Sequence, residues 1–201
     1  MRRIGLFGGT FNPIHNGHIT IAEKAYTQFD IDKVWFLPAP NPPHKANSGI
    51  IDYDDRVAMV ELAIEDYAGF ECSDFEKRYK GKCYSAQTLT DLTEMYPESE
   101  FCFIIGADSF YEIEGWYHPE IVMNLAHLLV AVRKYDKADK SMEAQKEYLE
   151  KKYGATISFI ETNMIEISST EIRDAVNAGR DVSDMIPKKV AAYIKDHHIY
   201  E

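Results

Sequence analysis

Six short apolar runs divide this chain, at 3–8, 33–38, 69–76, 100–106, 127–132 and 156–161, and helical periodicity fills the intervals between them. Runs such as RIGLFG, EFCFIIG and HLLVAV are apolar at consecutive positions, the pattern of strands buried on both faces. The intervals read differently. Ala22, Ala25, Tyr26 and Phe29 recur at helical spacing in 18–29, as do Val57, Val60, Ala63, Ile64 and Tyr67 in 54–67. Further helices are expected over 85–96, 141–154, 169–178 and 187–197, with short helical pieces around Trp116. The alternation specifies an α/β fold: a doubly wound, mainly parallel sheet with helices on both faces and a C-terminal helical segment. Residues 1–201 read as one domain, with helices from about 169 to 201 packed on it and Tyr193, Ile194, Ile199 and Tyr200 expected to be exposed as a possible subunit interface. In such sheets ligands bind beyond the carboxyl ends of the strands, so residues just after strands carry the functional information.

Of the 201 residues, 45% are hydrophobic, enough for one real core. The net charge of −11 argues against general nucleic-acid binding, while leaving room for a small anion held by locally converging cations and amides. Cys72, Cys83 and Cys102 are odd in number and show no paired spacing, which reads as reduced thiols and a cytoplasmic protein. No stretch approaches the ~20 apolar residues of a membrane span. The first apolar run breaks at Gly8, so it is not read as a signal peptide.

The first run ends in Gly8 and Gly9, followed by Thr10, Phe11 and the segment Asn12–His18. Glycines there permit a tight turn and close approach of backbone to a ligand, and a helix start behind them is suited to phosphate. The segment is neither a Walker A loop nor a GxGxxG fingerprint. His15 and His18, three apart, share a helix face. They admit three readings: polar residues of a helix start, a metal pair lacking the usual acid, or donors to a phosphoryl group. At the far end, MIEISSTEIRDAV closes a strand and opens a helix, with Ser168 or Ser169 as N-cap and Arg173 near the first turn. A cation there opposes the helix dipole unless an anion sits at the helix start.

GGTFNPIHNGH resembles the HxGH signature of the nucleotidylyltransferase superfamily, and ISSTEIR resembles its second signature. PPHK (42–45), YSAQTL (84–89), GADSF with a later Trp116, and VAVR (130–133) extend the likeness over nearly the whole chain to the bacterial nicotinate mononucleotide adenylyltransferases. The resemblance implies a Rossmann-like fold and transfer of AMP from ATP to nicotinate mononucleotide, with release of pyrophosphate. It implies catalytic roles for His15, His18 and Arg173. ATP contacts are implied for Gly8, Gly9, Thr10, Phe11, Gly106, Asp108, Ile167, Ser168, Ser169 and Thr170, and acceptor contacts for His44, Lys45, Ser85, Trp116, Tyr117 and Arg133. Trp116 would stack on the pyridine ring, and Ser85 would hold its carboxylate. Plainer readings stand beside these: N-caps for Asp108 and Ser85, and core for Trp116. No metal is expected on the protein itself, Mg²⁺ arriving with ATP. Neither nucleic-acid nor membrane partners are expected, and a monomer or homodimer is. Asn12, Ala39, Ser85 and Gln87 depart from the family's common Asp, Asn, Thr and Asp. Close alternatives are another acceptor, such as nicotinamide mononucleotide or phosphopantetheine, or a nucleotide sensor without turnover.

Overall fold

In the computed structural model, residues 1–42, 49–132, 140–162 and 167–201 are described. Six strands, β1 (Arg2–Gly9), β2 (Lys33–Pro38), β3 (Phe70–Cys72), β4 (Ser99–Gly106), β5 (His127–Ala131) and β6 (Thr156–Ile160), form one sheet. Its order is β3-β2-β1-β4-β5-β6 and every pairing is parallel. The chain winds outward from β1 in one direction, then returns to the centre and winds out in the other. That places the topological switch between β1 and β4.

Strand alternation sorts the core into two layers. From β4, Cys102 and Ile104 join Val34, Phe36 and Leu129 on one face, under α1 (Asn16–Gln28), α2 (Tyr53–Ile64), α7 (Ser169–Asn177) and α8 (Lys188–Asp196). Phe101, Phe103 and Ile105 join Leu128, Val130 and Ile157 on the other, under α3 (Ser85–Met95), α5 (Pro119–Leu125) and α6 (Met142–Tyr153). A short helix, α4 (Ala107–Glu112), leaves β4 directly. The helix α6 is capped by Ser141, whose hydroxyl accepts from the Ala144 N–H, and stops at Gly154 with φ 70°.

Three expectations need correction. The strand expected over 69–76 is only three residues long, and Phe75–Arg78 is a 3₁₀ turn. The Ser73 hydroxyl accepts the Phe75 N–H, a local bond that turns the backbone off the sheet edge. In α2 the buried stripe is Arg56, Met59, Val60, Ala63 and Ile64, whereas Val57 is only half-buried. The C-terminal helix is not an exposed face. Val190, Ile194 and Ile199 are buried in the first core layer, Tyr193 and Tyr200 pack against it, and the Tyr193 hydroxyl donates to Asp55 Oδ1 at 2.9 Å. Three such aliphatic side chains stabilise the docking by roughly 1.5–3 kcal/mol each. The strand end read at the start of MIEISSTEIRDAV (164–176) falls mostly outside the described residues, which resume at Ile167.

Candidate active site

The carboxyl ends of β1 and β4 part at the switch point and leave a cleft of ≈ 320 Å³. Its lining includes Gly8, Gly9 and Thr10 from the end of β1, Gly106 from β4, and Ser85, Trp116 and Tyr117 from the far wall. These seven residues are all among those expected from the sequence. The two β1 glycines serve different ends. A Cβ on Gly9 would lie 3.0–3.2 Å from three carbons of the Phe11 ring, so any side chain there presses on a buried aromatic that would have to give by a few tenths of an ångström. A Cβ on Gly8 would meet nothing nearer than Phe103 at 3.9 Å, and one on Gly106 nothing within 4 Å. At those two positions the missing side chain leaves backbone bare toward the cleft.

Past Gly9 the chain enters a loop that several distant groups hold. Phe11 adopts φ 47°, an uncommon conformation for a residue with a side chain, and its ring is core, packed against Phe7 and Phe36. Only the Phe11 backbone is left to meet a ligand. Arg56, 1% exposed, donates from Nη1 to the Thr10 and Ala39 carbonyls at 2.8 and 2.9 Å and from Nε to the Ile51 carbonyl at 3.3 Å. Among the described residues no carboxylate pairs with it, and burial lowers its pKa. Arg173 Nη1 donates to the Asn12 carbonyl at 2.9 Å, and the Ser169 hydroxyl to the Pro13 carbonyl at 2.9 Å. The start of α7 is thereby fastened to the loop that leads into α1.

The histidine pair opens α1. His15, with extended backbone, is the N-cap, and its N–H donates to His18 Nδ1 at 3.2 Å. An accepting Nδ1 puts the proton of a neutral His18 ring on Nε2. The two rings stack with centroids 3.6 Å apart at 26°, and His18 also packs edge-on to Phe7 and Phe11. Positive charge on both rings at that separation would repel by roughly 4–5 kcal/mol at an effective dielectric of 20. The Asn16 N–H, first of the helix, is already given to the Met185 carbonyl at 2.9 Å. At α7, Ser168 is the N-cap, its hydroxyl accepting the Glu171 N–H at 3.1 Å. Arg173 Nη2 donates to Thr170 Oγ1 at 3.2 Å. Ile167 is partly buried against the first core layer.

The far wall of the cleft is aromatic. Trp116 meets Phe103 edge to face at 6.2 Å, and Tyr84 and Tyr117 lie 4.5 Å apart. Ser85 is not an N-cap: Tyr84 holds that position and Ser85 is the first helical residue of α3, facing the cleft. Gln87 is exposed and donates to Asp91 at 2.6 Å along the helix, away from the cleft. Asp108 is likewise no N-cap, since Gly106 caps α4, and it lies in the first turn, outside the cleft lining. His44, Lys45 and Arg133 lie outside the described residues.

Four residues with structural weight here were not singled out by sequence reasoning as contributors: Arg56, Glu76, Tyr200 and, as an anchor, Asn12. Glu76 lines the cleft almost fully buried, accepting from Thr88 Oγ1 at 2.9 Å, and burial raises its carboxyl pKa above the ordinary range. Arg56 alone left a signal, since it falls on the same helix face as Met59, Val60 and Ala63. Among the described residues one group of three metal-type ligands occurs, Glu100, Cys102 and His127, on the face-one side of β4 and β5. Glu100 is held there by Arg3 and His127 by Ser158, and none of the three lines the cleft. The three cysteines are free, and burial pushes Cys72 and Cys102 up to about 12. Among the described residues no helix is long and apolar enough to cross a membrane.

A parallel sheet wound in this order and open at the β1/β4 switch defines a Rossmann-like α/β protein, a class whose ligands bind at that switch. Solved structures agree on the fold: that of the Plasmodium falciparum nicotinic acid mononucleotide adenylyltransferase complexed with NaAD superposes with a TM-score of 0.82 at 21% identity, covering 100% of this chain and 98% of that one. The chain belongs to the cytidylyltransferase-like family, whose sequence model matches residues 6–175. A relative from Lachnoclostridium phytofermentans is 42% identical over 200 residues, and one from Clostridium tetani 39% over 200, each match covering 100% of both chains. Both relatives carry the name probable nicotinate-nucleotide adenylyltransferase.

Proposed function

We propose that this protein transfers the AMP moiety of ATP to nicotinate mononucleotide, yielding nicotinate adenine dinucleotide and pyrophosphate, as a cytoplasmic step of NAD synthesis. The observation that carries the reading is the fastening of the α7 start to the loop preceding the histidine pair, through Arg173 and Ser169, beside a glycine-edged cleft. It supports the reading by tying the hydroxyl-bearing start of α7 and its guanidinium to the loop that leads into the histidine pair.

The chemistry needs positioning and charge compensation. A phosphate oxygen of the acceptor attacks the α-phosphorus of ATP. The bond from that phosphorus to the bridging oxygen breaks, and its electron pair leaves on pyrophosphate. A phosphate monoester is largely dianionic at neutral pH, its second pKa being ~6, so no base has to remove a proton from the nucleophile. His15 and His18 serve the α- and β-phosphates, while Arg173 and the Ser168–Thr170 helix start serve the tail. Gly8, Gly9, Thr10, the Phe11 backbone, Gly106 and Asp108 serve the nucleotide. Trp116, Tyr117 and Ser85 form the acceptor wall, where stacking of a flat ring on an aromatic is worth ~1–3 kcal/mol. Mg²⁺ enters as part of the substrate. Imidazoles, hydroxyls and a guanidinium are suited to phosphate oxygens rather than to a hard cation, which stays on phosphate and water.

The test is an acceptor comparison. The purified chain with Mg·ATP and either nicotinate or nicotinamide mononucleotide is expected to release pyrophosphate and form the dinucleotide, faster with the acid. His18→Ala is expected to cut kcat by about a hundredfold or more with the fold retained, on the scale of removing one transition-state donor. No pyrophosphate with either acceptor would overturn the assignment.

A further inference from the structure

The amide of Asn12 uses both of its ends. Nδ2 donates to the Gly49 carbonyl at 2.7 Å, and Oδ1 accepts from the Ile51 N–H at 3.3 Å and from the Tyr200 hydroxyl at 2.9 Å. The Asn12 carbonyl, in turn, takes Arg173. Asn12 is 3% exposed and stands three residues before His15, in the loop that joins the β1 glycines to the histidine pair. Of the two donors to Oδ1, the phenol is the closer. Without it the amide would be held on that side by the longer bond alone.

The tail is shaped to deliver that hydroxyl. Ile199 is buried, while His198 and Tyr200 on either side take φ 53° and 67°, conformations that side-chain-bearing residues adopt only where their surroundings impose them. Burial pushes the Tyr200 hydroxyl up against the pull of Arg173 and Arg56, which keeps it a donor. The polarity of the contact also explains this chain's choice of asparagine. An aspartate at position 12 would accept from Tyr200 equally well, yet would set a carboxylate oxygen against the Gly49 carbonyl 2.7 Å away.

We infer that Tyr200 is a positioning residue for the transfer reaction: its hydroxyl, through Asn12, fixes the loop that aims the histidine pair and receives Arg173. The inference takes the proposed reaction as its setting. Three variants test it: Tyr200→Phe, Asn12→Ala and the two combined. Tyr200→Phe keeps the ring in place and is expected to lower kcat about two- to tenfold, the scale of one hydrogen bond, with the KM of the acceptor unchanged. Amide hydrogen exchange over 10–18 is expected to quicken while α2 and α8 keep their protection. The double variant is expected to be no slower than Asn12→Ala alone. Unchanged kcat and exchange, additive losses, or a loss accompanied by opening of α8 would overturn it. If the wild-type chain forms no dinucleotide, the proposed reaction falls. The exchange measurement then decides the latch by itself: faster exchange over 10–18 upholds it and unchanged exchange removes it.

Discussion

Replacing Arg56 with methionine keeps a long, unbranched side chain in its slot but removes every donor from it. Three carbonyls, those of Thr10, Ala39 and Ile51, then lose the guanidinium. A buried acceptor left without a partner costs about 1–3 kcal/mol, so the gross loss is about 3–9 kcal/mol. Part returns, because the wild type keeps a cation out of water with no carboxylate beside it, at a cost of several kcal/mol. The net expectation is a destabilisation of about 2–4 kcal/mol. For a domain of this size each kcal/mol moves Tm by about 2–4 °C, so melting should fall by about 4–16 °C. Arg56→Lys separates the fork from the charge: an ammonium keeps the charge but cannot span three carbonyls in the guanidinium plane. It should be no more stable than the methionine variant. Urea unfolding of the three proteins is the assay. If Arg56→Met lies within about 0.5 kcal/mol of wild type, the ordinary scatter of surface changes, or if Arg56→Lys matches wild type, the guanidinium is not what holds the loop.

Two further outcomes follow from the same geometry. Gly9→Ala forces a methyl against the Phe11 ring and should destabilise the fold by about 1–3 kcal/mol. Gly8→Ala meets no such contact and should melt as wild type, yet lose about ten- to a hundredfold in turnover by crowding the cleft; equal melting of both variants would refute the distinction. Glu76 has a folded pKa raised by burial, so the folded state holds the proton more tightly than the unfolded chain. Its contribution is therefore fully present below the ordinary carboxylate range and is lost as pH rises through the raised value. Glu76→Gln, neutral throughout, should gain stability relative to wild type as pH rises from the ordinary carboxylate range through the raised value, and parallel stability curves for the two would refute this.

Most of the architecture was legible because β1, β2, β4 and β5 are near-continuous apolar runs, and consecutive apolar residues mark a strand covered on both faces. The two edge strands read less plainly: polar and apolar residues alternate in β6, and β3 stops at Cys72 because Ser73 and Asp74 turn the chain into the 3₁₀ segment although Phe75 is apolar. The cleft residues Gly8, Gly9, Gly106, Ser85 and Trp116 were legible for a related reason: they sit in compact motifs just after strands or at helix starts. The parts that were not legible act across the chain. Arg56 reaches Thr10, 46 positions away, and Tyr200 reaches Asn12, 188 positions away. No local pattern encodes such contacts. The C-terminal helix misled for the opposite reason, since an apolar stripe on a terminal helix does not say whether it covers its own core or a partner. In this chain it covers α2 and the first core layer.

The histidine loop and the aromatic wall of the cleft rest on different parts of the fold. The loop and Arg173 are tied together by α2, α7 and the tail on one face of the sheet, whereas the wall of Ser85, Trp116 and Tyr117 comes from α3 and the turn after α4 on the other. Few side chains have to satisfy both. Mutations on the aromatic wall can therefore remodel the pocket for a different flat or extended molecule while the loop and Arg173, which the proposed reaction sets on the triphosphate, stay untouched. A scaffold partitioned like this can diversify what it modifies without having to reinvent how.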